Sequence, residues 1–283
     1  MGNVPGRSTR SLGSMKITIE LRALPIHSSW LLACVGIFVC AAAFPTDSAK
    51  SVSYSGQITP FLVDNFIDNI KLDGATRLIV NSGGGDGAAG IKLGRWVKSH
   101  NLDVEVQGHC DSACANYVFL AGDRKIIAPR SIVLWHGSME QKDVRELQRR
   151  YGELLLKSHR QRNSLTEEEA LYLEKNREHF QSAVELRESQ ARFYDELQIN
   201  EYITRLGQEP VQLENDWATA SPRVMAHFGV RNVEAPDDYA SCAYVRQATL
   251  FWGGASLFDL DRDNRVSRIT CAAADPPPPM PKR

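Results

Sequence analysis

Val104-Glu-Val-Gln-Gly-His-Cys-Asp-Ser-Ala-Cys-Ala-Asn-Tyr-Val-Phe-Leu120 passes from a strand pattern, through a turn, into a helix pattern. Val104 to Gln107 reads as a strand and Cys114 to Leu120 as a helix. Ser112 stands on the turn between two cysteines. A short apolar strand ending in a histidine, Ile132-Val-Leu-Trp-His136, follows it in the chain. A serine hydroxyl is a weak nucleophile at neutral pH. It needs a base within hydrogen-bond reach, a group that orients the base, and donors for the oxyanion. The junction exposes the serine and brings a histidine to the same edge of a sheet, where α/β sites collect.

Working outward, the same alternation recurs. Val52 to Ile58 reads as a strand, Pro60 to Ile70 as an amphipathic helix and Arg77 to Asn81 as a buried strand. Ser82-Gly-Gly-Gly-Asp-Gly87 is a turn, Ala88 to Ser99 a helix, and Lys125 to Ile127 another strand. Strands and helices alternating at this pace predict an α/β fold with right-handed crossovers and a mainly parallel sheet. The region 140–197 changes character: it is dense in Glu, Arg, Lys and Gln, with Leu147, Tyr151, Leu154 and Leu155 at helical spacing. Ser164-Leu-Thr-Glu167 reads as a capping box opening a second helix. The charges read as solvated faces, with a partner-binding arm as the sharper alternative. Asp216 to Val230 reads as a loop and then a helix stopped by Gly229. Residues 236–283 read as a small β-rich appendage with a proline-rich tail, Pro276 to Pro281.

The 283 residues, 43 % of them hydrophobic, suffice for a full core, and a formal net charge of −1 argues against nucleic acid as a partner. Lys16 and Arg22 precede an apolar run, Ser29 to Ala43, that ends in Ala41-Ala42-Ala43. Residues 1–44 therefore read as a signal peptide, with a membrane anchor facing the periplasm as the alternative, and the remainder as an exported protein. Export removes Cys34 and Cys40 and leaves Cys110, Cys114, Cys242 and Cys271 in an oxidising compartment. Four cysteines allow three pairings; Cys110–Cys114 with Cys242–Cys271 is the favoured one.

Three other motifs offer rival readings. Gly83-x-Gly85-x-x-Ala88, with Glu105 further on, fits a dinucleotide fingerprint but leaves Cys110 to Cys114 and His136 without a role. His109, Cys110 and Cys114 lack a standard zinc spacing. Asp259, Asp261, Asp263 and Asn264 begin like a calcium loop but lack its glycine and its closing glutamate, so they read as a polar turn.

Taken together, Ile79-Val-Asn-Ser-Gly-Gly-Gly-Asp-Gly-Ala-Ala-Gly90, Cys110-Asp-Ser-Ala-Cys114 and Leu134-Trp-His136 resemble the Clp protease proteolytic subunit, most nearly its exported relatives in the ClpP/crotonase superfamily. Tyr54-Ser-Gly-Gln-Ile58 is similar to the opening strand of that family. The likeness covers residues 52–137 and, more thinly, 183–232. It implies a ClpP/crotonase-like spiral core of repeated ββα units over 45–235, with a helical insertion at about 140–197. It implies a serine peptidase acting on peptides or unfolded proteins, without metal or organic cofactor. Ser112 matches the nucleophile and His136 the general base. Gly85 and Ala113 match the oxyanion donors, with Gly84 adjacent. Asp216, in Asn215-Asp-Trp-Ala-Thr-Ala-Ser-Pro222, is the best match to the triad acid, and Asp195 is the reserve. Gly83 replaces a proline of the family's turn. The insertion is longer than in the compact subunit, so its ring assembly is not carried over, although a homo-oligomer stays open. A non-catalytic scaffold and an esterase or thioester enzyme are the competing functions.

Overall fold

The site is carried by a twisted, all-parallel sheet whose central strand changes partners halfway along. The structure, a computed structural model, describes residues 50–160, 165–208, 217–269 and 271. Strand β1 (Ser51–Ser55) is followed by helix α1 (Pro60–Asn69), strand β2 (Arg77–Ser82), helix α2 (Gly87–Ser99) and strand β3 (Asp103–Asp111). A π-helical turn, Cys114–Phe119, leads to strands β4 (Lys125–Ile127) and β5 (Ile132–Leu134). Helices α3 (Lys142–Arg160) and α4 (Glu167–Leu197) come next. Strand β6 (Ala218–Ala220), helix α5 (Pro222–His227), strand β7 (Val233–Glu234), helix α6 (Cys242–Ala248) and strands β8 (Ser256–Leu260) and β9 (Val266–Ile269) complete the described chain.

The main sheet runs β1-β2-β3-β4-β7, with β5 also pairing β3, and every pairing in it is parallel. Side chains alternate across a strand. Leu78, Val80, Val104 and Val106, on one face of β2 and β3, are all fully buried, whereas Arg77, Asn81, Glu105 and Gln107 on the other keep contact with solvent. The N-terminal half of β3 pairs with β4, and its last three residues, His109 to Asp111, pair with β5. Between the halves the register slips: Val80 lies opposite Val106, but Ser82 lies opposite Cys110. Two extra β3 residues therefore bulge at Gly108, whose φ of +98° a side chain would resist; a Cβ there would lie 3.0 Å from Asn81 Oδ1. The bulge is why the sequence pattern ends the strand at Gln107, whereas the chain stays extended to Asp111.

A smaller sheet, β6-β8-β9, is joined to the first by a two-bond bridge. Trp135 N–H donates to Ala218 O at 2.8 Å, and Ala218 N–H donates to Trp135 O at 2.7 Å. Strand β6 falls where the sequence reads as loop, because a three-residue strand carries too little alternation to register. Helix α5 ends as expected, with Gly229 at φ +87° just past its cap. Residues 236–271 include α6 and belong to the same compact unit as the rest of the described chain. Tyr239, fully buried, accepts from Val133 N–H at 3.3 Å and shares a 2.9 Å hydrogen bond with Thr219. The polar turn at Asp261 to Asn264 closes the β8–β9 hairpin, with Asp261 accepting the N–H groups of Asp263 and Arg265.

The insertion forms a helical hairpin. Tyr151 stacks on Phe180 at 4.2 Å, and Lys157 bonds Glu169 at 2.7 Å. The second helix opens at Thr166, not Ser164: Thr166 Oγ1 accepts Glu169 N–H while the Glu169 carboxylate takes Thr166 N–H. The capping box lies two residues later because Glu169 supplies the reciprocal carboxylate. The C-terminal half of α4 buries Ala183, Gln190, Phe193 and Tyr194. Residues 1–44, Ser164, Asp216 and the proline-rich tail lie outside the described residues. Among those described, no helix is long and apolar enough to cross a membrane.

Candidate active site

Ser112 follows directly on β3 and has φ +53°, the left-handed region that L-residues avoid at a cost of roughly 1–2 kcal/mol. Four restraints hold it there. Its N–H donates to Leu134 O at 2.9 Å, and its carbonyl accepts Asn116 N–H at 2.8 Å. Cys110 and Cys114, on either side, form a disulfide. Gly84 packs flat against the turn: a Cβ at Gly84 would lie 2.4 Å from Asp111 O and 2.8 Å from both Ala113 N and Ser112 Cβ. The strained turn thrusts the hydroxyl off the sheet edge at the start of a helical segment, where free N–H groups favour negative charge.

His136 arrives from the next strand. Its Nε2 lies 2.7 Å from Ser112 Oγ, and its half-buried ring rests on Trp217 with centroids 4.5 Å apart. Its carbonyl accepts Gln208 Nε2 at 2.6 Å, and the next carbonyl, Gly137 O, accepts Asn116 Nδ2 at 2.8 Å. With the ring proton on Nδ1, the Ser112 hydroxyl donates to Nε2, the arrangement a general base requires.

The glycine turn lies opposite. Gly84 N–H is engaged with Ser82 Oγ at 3.1 Å, and Gly84 O accepts Ile58 N–H at 2.8 Å. Gly85, at φ +143°, approaches Ile58 so closely that a Cβ would lie 2.2 Å from its carbonyl oxygen. Neither Gly85 N–H nor Ala113 N–H has an acceptor among the described residues. Of the three expected oxyanion residues, Gly85 and Ala113 thus offer open donors, and Gly84 shapes the turn. This turn is packed on the serine, and Glu105, the acid of the dinucleotide fingerprint, is paired with Arg77 at 2.8 Å.

The two acid candidates fare differently. Asp195 is exposed near the end of α4 and makes no hydrogen bond with His136. Asp216 lies outside the described residues; its chain neighbours Trp217 and Ala218 lie against His136 and Trp135.

Asp111 is a site residue that sequence reasoning missed. It is almost fully buried beside Ser112; one oxygen bonds His109 Nδ1 at 2.7 Å, and the other has no partner among the described residues. Burial pushes its carboxyl above the ordinary range, against the opposing pull of His109 and the charge of His136. Extending the strand alternation past Gly108 would have placed His109 and Asp111 on one face.

The second disulfide, Cys242–Cys271, ties the start of α6 to the chain just past β9. Two disulfides fit an oxidising compartment. The chain matches no model of a known protein family and no curated protein.

Proposed function

We propose that the protein is an exported serine hydrolase with a ClpP/crotonase-like spiral core, and that it cleaves peptide bonds in small or unfolded substrates. The observation that carries this reading is the 2.7 Å approach of His136 Nε2 to the hydroxyl of Ser112, itself held in a left-handed turn. Ser112 Oγ attacks the scissile carbonyl as its proton passes to His136 Nε2. The oxyanion forms between Gly85 N–H and Ala113 N–H. Collapse of the tetrahedral intermediate breaks the carbon–nitrogen bond, and His136 returns the proton to the leaving amine. Water then attacks the acyl-serine with His136 again as base. Asp216 is assigned the role of orienting His136, supported by the contact of its chain neighbour Trp217 with the ring. The reading calls for no metal or organic cofactor.

A fluorophosphonate probe tests it. The native protein, disulfides intact, is expected to be labelled on Ser112, and Ser112→Ala and His136→Ala are expected to lose labelling by at least ~10³-fold. A folded native protein that the probe leaves untouched refutes the reading and favours a scaffold role. A panel of peptide, ester and thioester substrates assigns the bond cleaved; hydrolysis confined to thioesters would remove the peptidase assignment and keep the nucleophile.

A further inference from the structure

The loop that follows His136 is gripped from helix α4 by one amide. Gln190, in the C-terminal third of α4, is completely buried. Its Oε1 accepts Tyr117 O–H at 2.7 Å and Met139 N–H at 3.2 Å. Its Nε2 donates to Ser138 Oγ at 3.2 Å and to Glu201 Oε2 at 3.1 Å. A side-chain amide has two acceptor and two donor places, and all four are filled. One bond reaches the π-helical turn that follows Ser112, two reach Ser138 and Met139 beyond Gly137, and the fourth reaches Glu201. Surrounding contacts run the same way. Thr204 Oγ1 donates to Ser138 Oγ at 2.9 Å, and Tyr194 O–H donates to Asn116 O at 2.8 Å. Arg187, one turn before Gln190, pairs with Glu140 at the end of the loop.

From this geometry we infer that Gln190 is a positioning residue that couples the helical insertion to the Ser112–His136 pair, so that the seating of α4 sets the activity of the site. Gln190 touches no reacting atom; it acts through the loop Gly137–Glu140 and through Tyr117. The inference deepens the hydrolase reading and rests on it for its kinetic arm, although the geometry of His136 can be followed without any substrate. Other residues do not meet the requirement. Glutamate at this place would lose both donors and set a carboxylate against Glu201. Methionine would fill the volume and lose all four bonds, leaving buried polar partners unsatisfied.

The test compares Gln190→Met, Phe193→Leu and the parent protein. Phe193 packs on Tyr117 from the same helix at 5.9 Å but takes no part in the amide network. Gln190→Met is expected to slow fluorophosphonate labelling and kcat by ~10- to 100-fold with KM nearly unchanged, and to displace the pH profile. Phe193→Leu is expected to lower thermal stability yet leave the pH profile in place. Titration of the His136 imidazole by NMR is expected to shift in Gln190→Met and not in Phe193→Leu. A folded Gln190→Met with the parental labelling rate and His136 titration overturns the inference. If Gln190→Met does not fold, Tyr117→Phe deletes one of the four bonds and keeps the ring: slowing of ~3- to 10-fold supports the coupling, and an unchanged rate refutes it. If the parent protein is not labelled at all, the hydrolase reading fails, while the His136 titration still decides the coupling.

Discussion

The two edges of the main sheet are built from the same strands and are chemically opposite. At the C-terminal edge β2 ends in the glycine turn and β3 in Ser112, and the helices that follow begin there, presenting unfilled N–H groups. At the N-terminal edge α2, α4 and α5 end close together, around a cavity of about 270 Å³ lined among others by Lys98, Gly122, Gln198, Gly229 and Arg231. Helix ends of that kind present bare carbonyls and a partial negative charge. The buried Lys125 lies at this edge, donating to Gly122 O, just past the helical turn that follows Ser112, at 2.7 Å, and to Arg231 O, in the loop after α5, at 3.2 Å. A parallel sheet thus sorts its chemistry by direction: one edge is ready to stabilise developing negative charge, and the other is occupied by a resident cation.

The sharpest way to break the comparison is at the glycine turn. Gly84→Ala combines a strained φ of +83° with a Cβ 2.4 Å from Asp111 O, so the turn must leave Ser112. It is expected to cost roughly 2–4 kcal/mol and to slow labelling of Ser112 by ~10²-fold or more. Gly74→Ala separates strain from collision: its φ is +80°, with nothing within 4 Å. It is expected to cost about 1 kcal/mol and to leave labelling unchanged. Urea denaturation alongside labelling measures both; equal effects of the two variants would show that strain alone, not packing of the turn on the serine, is at work.

The disulfides divide stability from function in the same manner. Cys242–Cys271 closes a separation of 29 residues between α6 and the chain past β9, and Cys110–Cys114 one of 4 residues around Ser112. By the loop-closure argument, replacing the first pair with alanine costs roughly 3.5 kcal/mol and the second roughly 2 kcal/mol. Labelling of Ser112 is expected to follow the opposite order, falling several-fold in Cys110→Ala/Cys114→Ala and holding steady in Cys242→Ala/Cys271→Ala. Parental labelling in the first double variant would mean that the hydrogen bonds to Leu134 and Asn116 hold the turn unaided.

The sequence carries one of these edges far more plainly than the other. Ser112, His136 and the glycines stand out because turns and strand ends use few residue types, and their spacing along the chain is short. The α/β alternation is legible for the same reason, through the apolar runs of β2 and β5 and the alternating Val104 and Val106 of β3. Asp111 escaped notice because the bulge at Gly108 interrupts the alternation that would have revealed it. Gln190 is one polar residue in a helix dense with them, and nothing local marks it as the buried one; only tertiary packing does. Lys125 looks like the solvated start of a strand, and the helix ends that enclose it come from positions between 98 and 231. Strand β6 reads as loop in the sequence, and it is the pairing of Ala218 with Trp135 that brings Trp217 to His136. Local chemistry is therefore readable, while partners distant in sequence are not.

Lys125 supplies the most delicate test of the N-terminal edge. Burial, reinforced by the nearby charge of Lys98, lowers its pKa from 10.5 to about 8, with Asp123 opposing weakly. Below pH 8 the amine is protonated in both the folded and the unfolded chain, and the penalty for burying the charge is constant. Between pH 8 and 10.5 the folded protein releases this proton first, so the unfolded chain binds more protons and stability rises with pH. The gain expected from this group is roughly 1.6 kcal/mol between pH 8 and 9.5. The window stops there because burial also raises the phenols of Tyr117 and Tyr239, which lose stability once unfolded tyrosine ionises at higher pH. Lys125→Met is expected to flatten the slope while leaving the carbonyls of Gly122 and Arg231 without their donor. Denaturation midpoints across this window, for the parent and the variant, measure the difference. A parent curve that is level from pH 8 to 9.5 would show that the helix ends hold the ammonium as comfortably as water does, and the contrast between the two edges would then be one of shape rather than of charge.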